Sequence, residues 1–144
     1  MQAWIAVSSQ ENHVNDYPKY WCFSKQAEPD DLVFVYLTKK CSIAGIRHIC
    51  KVNQVTEPHS ECVKRRMITR KLNGVLTISN PISYQELIEH PVLSEMDGVY
   101  GRFQKTTIKI TRDYILEELL KLIAEKSPDS KDEIKEITKA AHFV

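Results

Sequence analysis

The sequence predicts an α+β fold, a small twisted β-barrel of five or so strands with short helices at its rim and helices at its C-terminal end. Three observations carry this. The strand candidates follow one another in meander order, without the strand–helix alternation of a parallel sheet. Leu32-Val33-Phe34-Val35-Tyr36-Leu37 is an unbroken β-branched and aromatic run, as in a central, covered strand. After Arg112 the apolar residues Ile115, Leu116, Leu119, Leu120, Leu122 and Ile123 switch to helical spacing.

Taken in order, residues 2–7 (QAWIAV) read as a first strand, apolar on both faces. Ser8 to Lys19 breaks into Ser, Asn, Asp and Pro, so a loop with at most one helical turn follows. Pro29-Asp30-Asp31 is a turn that launches the Leu32–Leu37 strand. Residues 42–55 form a second long strand, with Gly45 at a slip in the alternation that marks a bulge or a close approach by another backbone. Residues 71–79 form another, with Asn73-Gly74 as a bulge or a hairpin turn. Ser83 and Glu86 make a capping-box pattern for a helix from about Tyr84 to Glu89, closed by Pro91. Thr106 to Ile110 alternates as a last strand. A helix then runs from Arg112 to Lys126, Ser127-Pro128 breaks it, and Ser130 with Glu133 opens a terminal helix whose apolar face is Ile134, Ile137 and Ala141.

At 144 residues the chain is expected to be one domain, 1–144, with enough length to bury a core unaided. No apolar run approaches a membrane span and no signal peptide is read at the N-terminus, so a cytoplasmic protein with no membrane association is expected. Cys22, Cys41, Cys50 and Cys62 are accordingly expected as free thiols. Net charge is +1, but it is unevenly spread: residues 39–71 carry nine basic groups against Glu57 and Glu61, and residues 111–144 carry six basic and eight acidic groups. A basic middle permits a polyanionic partner.

The order of short motifs resembles the EVE domain, a PUA-like barrel related to the YTH domain. Trp4-Ile5-Ala6-Val7-Ser8-Ser9-Gln10-Glu11-Asn12 and Trp21-Cys22-Phe23 match its opening. Glu28-Pro29-Asp30-Asp31 leading into the strand that ends at Tyr36 matches its Pro-Gly-Asp turn and strand, with Asp31 standing where the family has Gly. Ile43-Ala44-Gly45-Ile46 matches its Ile-x-Gly strand, and Phe103, Ile108-Lys109-Ile110 and the helix from Arg112 match its closing segment. The resemblance implies a reader of modified bases. YTH relatives hold a methylated adenine in an aromatic cage, and EVE domains are connected with modified cytosine and with RNA modification. It places Trp21 against the base, with Ser8 and Ser9 as polar neighbours and Cys22 and Tyr36 nearby. Arg102 or Phe103, just before the last strand, would supply a second wall, with Phe103 as plain core the alternative. The second cage aromatic of YTH domains has no counterpart between Lys51 and Lys64, which contain no Trp, Tyr or Phe.

The chemistry of these residues suits that role. An aromatic face stacks an unpaired or flipped base for about 1–3 kcal/mol, and short hydroxyls and backbone N–H groups read its edge. As a bland alternative, Trp21 fills the core. The run Lys64-Arg65-Arg66-Met67-Ile68-Thr69-Arg70-Lys71 holds five cations in eight residues. With Lys39 and Lys40 it forms a candidate phosphate-contacting surface, or else a solvated loop face. His48 with Cys50 and His59 with Cys62 lack the spacing of zinc knuckles, so no metal is expected. No nucleotide-, cofactor- or protease-type motif occurs, and no cofactor is expected. The reading is therefore a monomeric nucleic-acid-binding module, RNA or DNA, carrying a modified base. The alternatives are an enzyme using Cys22 near His13 in the same pocket, or a module for small molecules or proteins.

Overall fold

A computed structural model describes residues 1–55, 57–101, 103 and 105–141. Its six strands are β1 (Ala3–Ser8), β2 (Tyr20–Phe23), β3 (Leu32–Leu37), β4 (Gly45–Val55), β5 (Ile68–Ile82) and β6 (Thr107–Ile110), and its helices are α1 (Ser60–Lys64), α2 (Tyr84–Glu89), α3 (Asp113–Lys126) and α4 (Lys131–Ala141). The strands form one mixed sheet in the order β2-β5-β4-β3-β1-β6, curled into a half-barrel. The α+β class and the barrel architecture stand as expected.

The strand order departs from a meander at three pairings, β1 with β3, β1 with β6 and β2 with β5. β1 pairs in parallel with β3, Ala3 opposite Leu32 through Ser8 opposite Leu37. The Trp21 segment, read as a pocket wall and not as a strand, is β2, which crosses to the far edge and pairs antiparallel with β5, Trp21 opposite Arg70. β5 is also longer than expected, running straight through Asn73-Gly74 and Pro81. Asn73 and Gly74 pair regularly with Lys51 and Cys50, so they form no turn; the register then shifts between Cys50 opposite Gly74 and Ile49 opposite Leu76, which puts the bulge one residue on, at Val75.

Alternation sorts the buried strands onto two faces. Ala3, Ile5, Val7, Leu32, Phe34, Tyr36, Ile46 and Ile49 face one side, where Ile115, Leu116, Leu119, Leu120 and Ile123 of α3 and Ile134 and Ile137 of α4 cover them. Trp4, Ala6, Val33, Val35 and Leu37 face the hollow of the half-barrel with Val14, Phe23, Ala27, Cys41, Cys50 and Leu72. The α2 capping box is formed: the Ser83 hydroxyl accepts from the Glu86 N–H while the Glu86 carboxylate accepts from the Ser83 N–H. Gly45, the first residue of β4, has φ +112°, and a Cβ there would meet the Ile82 carbonyl oxygen at 2.4 Å. This is the close backbone approach expected from the slip in alternation.

The turn before β3 is built differently from its expected form. The positive φ, 70°, falls on Asp30, and Asp31 is 2% exposed. The Asp31 carboxylate accepts from the Gln2 N–H and Nε2, from Trp4 Nε1 and from the Glu28 N–H, at 3.0–3.1 Å. It therefore ties the start of β1 to the turn, in a place where a glycine would leave the Gln2 and Glu28 N–H groups and the Trp4 indole without this acceptor.

Candidate nucleic-acid interface

β2 and β6 are the two edges of the sheet, and Trp21 spans the gap between them. Its indole Nε1 donates to the Thr106 carbonyl (3.2 Å) and to Thr107 Oγ1 (3.0 Å), and Thr107 Oγ1 donates to the Cys22 carbonyl (2.6 Å). The half-barrel is thus closed here by side chains. Trp21 is half-buried and packs against the inner core. The polar edge of its indole is already used.

At this seam lies a cleft of about 510 Å³, lined by the end of β1 and its loop (Val7, Ser8, Ser9, Gln10, Asn12, His13), by Pro18 to Cys22, by His59, Glu61 and Arg65 around α1, and by Thr106. Of the residues expected to contact a base, Ser8, Ser9, Trp21 and Cys22 line it. Two do not. Tyr36 is on the helix-covered face, where alternation along β3 puts it, and its ring packs on Phe103 at 4.4 Å between centroids. Burial pushes its phenol up to about 12, with Tyr84 adding to the shift, so the hydroxyl stays neutral. Phe103 is 3% exposed in the same core and also meets Tyr84 edge-on. Arg102 lies outside the described residues.

The cysteines correct the thiol expectation. Cys22 and Cys62 form a disulfide, with Cα atoms 5.2 Å apart and 40 residues of separation. It fastens the five-residue α1 to β2, as does Tyr20, whose hydroxyl is 2.8 Å from His59 Nε2 with the two rings 4.6 Å apart. A disulfide sulfur is no thiolate, so the enzyme alternative loses its nucleophile. The disulfide also removes the thiol-based reason for a reducing compartment. Cys41 and Cys50 are free and buried, and burial pushes the Cys50 thiol up to about 12.

The cations divide as well. Arg65 lines the cleft, donating to Thr106 Oγ1 at 3.1 Å and facing Glu61 at 3.9 Å. Lys19, absent from the expected set, also lines it and pairs with Asp16 at 3.2 Å in solvent. Lys64 and Arg66 are exposed beside Arg65, Lys71 is exposed on β5 opposite Tyr20, and Lys39 and Lys40 are exposed just beyond β3. That turn is held next to Ser8, whose carbonyl accepts the Thr38 N–H. Arg70 is not a surface cation: it is half-buried and donates to the Ala27 carbonyl at 2.7 Å, anchoring the loop after β2.

His13 is the residue that sequence reasoning underweighted. The Glu11–Val14 turn carries it into the cleft, its ring edge-on to Trp21 at 6.4 Å. Ser8 Oγ is 2.7 Å from its Nδ1. Burial holds its pKa below the ordinary imidazole value, partly opposed by Asp16, so the ring is neutral at pH 7. Among the described residues no three His, Cys, Asp or Glu side chains converge as a metal site, and no helix is long and apolar enough to cross a membrane.

No family model and no curated protein matches the chain. Solved structures do. A protein from Pseudomonas putida superposes with a TM-score of 0.67 at 11% identity, covering 84% of this chain and 99% of that one. A hypothetical protein from Leishmania major gives 0.63 at 11%, covering 87% and 96%. Human THYN1, solved in complex with DNA containing 5-methylcytosine, gives 0.65 at 13%, covering 85% and 98%. At such identities the likeness defines the fold alone: over most of its length the chain shares the PUA-like fold of these structures.

Proposed function

We propose that the cleft beside Trp21 receives one flat nucleobase of a nucleic acid strand, with a modified pyrimidine of the 5-methylcytosine kind as its first candidate. The observation that carries this reading is the meeting, in one cleft at the barrel seam, of an aromatic wall with short hydroxyls and a neutral imidazole. Its volume is in the range of pockets that hold small ligands. An extruded base needs such a recess, stacked on one side and read along its edge. The shared fold of a protein solved with 5-methylcytosine DNA supports the choice of ligand. Lys19 and Arg65 at the cleft, with Lys64, Arg66, Lys71, Lys39 and Lys40 around it, would neutralise the flanking phosphates.

The test is fluorescence anisotropy with short DNA and RNA strands carrying cytosine or 5-methylcytosine, at two salt concentrations. Tighter binding of the methylated strand, weakened by salt, is expected. Binding that ignores both salt and the methyl group would refute the proposal.

A further inference from the structure

Ser8, the last residue of β1, is 2% exposed. Its hydroxyl accepts the Gln10 N–H at 3.2 Å and lies 2.7 Å from His13 Nδ1. A hydroxyl has one proton to give and two lone pairs to fill. With Gln10 on one lone pair, a protonated Nδ1 would take the other and leave the buried Ser8 proton with no acceptor among the described residues. With Nδ1 unprotonated, the Ser8 proton has its acceptor and every group is satisfied. The imidazole then carries its hydrogen on Nε2, for which no hydrogen bond is found among the described residues.

The backbone of this turn is held just as firmly. His48, 1% exposed, donates from Nε2 to the His13 carbonyl at 2.6 Å, and its Nδ1 is 3.0 Å from the Thr77 hydroxyl. The His13 ring is thus fixed through its main chain by one buried residue and through its side chain by another, beside Trp21 in the cleft wall.

We infer that Ser8 locks His13 as a one-way Nε2–H donor, and that this donor selects a pyrimidine whose ring N3 is an unprotonated acceptor over one whose N3 carries hydrogen. The inference rests on the base-binding reading above and sharpens it to the cytosine class. 5-Methylcytosine and thymine share ring size and methyl group, so neither stacking on Trp21 nor the shape of the cleft separates them. A fixed donor does, because it bonds the N3 of one and confronts the N3–H of the other. Sites built around one hydrogen bond discriminate in this way when the wrong partner leaves a polar group unpaired. Burial supports the assignment by keeping the imidazole neutral.

Long-range proton–nitrogen NMR correlations on the full, nitrogen-labelled chain report the His13 tautomer without any ligand, and Nε2–H is expected. Competition binding with short single strands carrying one central 5-methylcytosine or thymine should then favour 5-methylcytosine about tenfold or more. Ser8→Ala, which frees the tautomer, should bring the two strands closer in affinity, and His13→Ala should lose most of the preference. A wild-type ring protonated on Nδ1 overturns the inference, as does equal binding of the two strands. Binding without discrimination sinks this inference alone, whereas absence of binding to every strand sinks the base-binding reading and this one with it.

Discussion

The two faces of the sheet use the same strands but solve different problems. The helix-covered face is filled by Ile, Leu, Val and Phe, and its aromatic residues Phe34, Tyr36 and Phe103 are all nearly or fully inaccessible. The hollow face is also largely apolar, yet it carries Trp4 bonded to the Asp31 carboxylate, Arg70 bonded to the Ala27 carbonyl, and Trp21 bonded across the seam. A face closed by two amphipathic helices carries few polar groups, the phenols of Tyr36 and Tyr84. A face closed partly by its own edges must satisfy the backbone there with side chains, and where that closure is incomplete a polar cleft is left. Aromatic content therefore does not mark the site in this fold; proximity to the open seam does.

Substitutions can break this contrast, the largest first. Phe34→Ala, on the helix face, should cost about 3–5 kcal/mol in denaturant titrations and leave ligand affinity of the folded fraction unchanged. Asp31→Ala should cost a comparable amount, because it orphans the Gln2 and Glu28 N–H groups and the Trp4 indole at the other face. Opening the disulfide by Cys22→Ser with Cys62→Ser should cost about 3–4 kcal/mol by loop entropy. A thermal scan with and without dithiothreitol should shift for the wild type and stay put for the double variant. Trp21→Phe keeps an aromatic ring and removes the seam hydrogen bonds, so about 1–2 kcal/mol of stability should go. Retained stability and retained binding together would mean that the seam carries neither role.

Acid should act on the seam side. Burial lowers the pKa of His48, and of His13 to the same sign, so the unfolded chain binds protons more readily. The stability from keeping them neutral is fully present above the ordinary histidine pKa of about 6.5 and is lost as pH falls from there towards the lowered folded values. Unfolding midpoints should therefore drop between neutral pH and mild acid, with a flatter profile in His48→Gln. The smallest effects belong to the cations: Arg65→Ala should reduce the salt dependence of oligonucleotide binding more than Lys39→Ala, since Arg65 lines the cleft.

Much of the fold was written locally. The β-branched run of β3, the capping box of α2 and the helical spacing of α3 are each set by residues within a few positions of one another, so pattern alone reveals them. The candidate site was half legible. Ser8, Ser9 and Trp21 were found through motif resemblance, while Tyr36 was misplaced, because a strand's pattern separates its two faces without saying which of them is open; Phe103, open between wall and core in the sequence, lies in the core. His13, Lys19 and His59 carried no pattern of their own. β2, only four residues long, becomes a strand only by pairing with β5.

What the sequence determined by itself is therefore the class, the long strands and helices, and the polar stretch that borders the cleft. Tertiary structure alone decided the strand order, the seam that Trp21 closes, and the joining of Cys22 to Cys62. The disulfide and the seam bring together residues 40 to 86 apart, and β1 pairs with β6 across 107 residues, Ala3 opposite Ile110. Such meetings depend on how the whole sheet closes, which no short window of residues encodes.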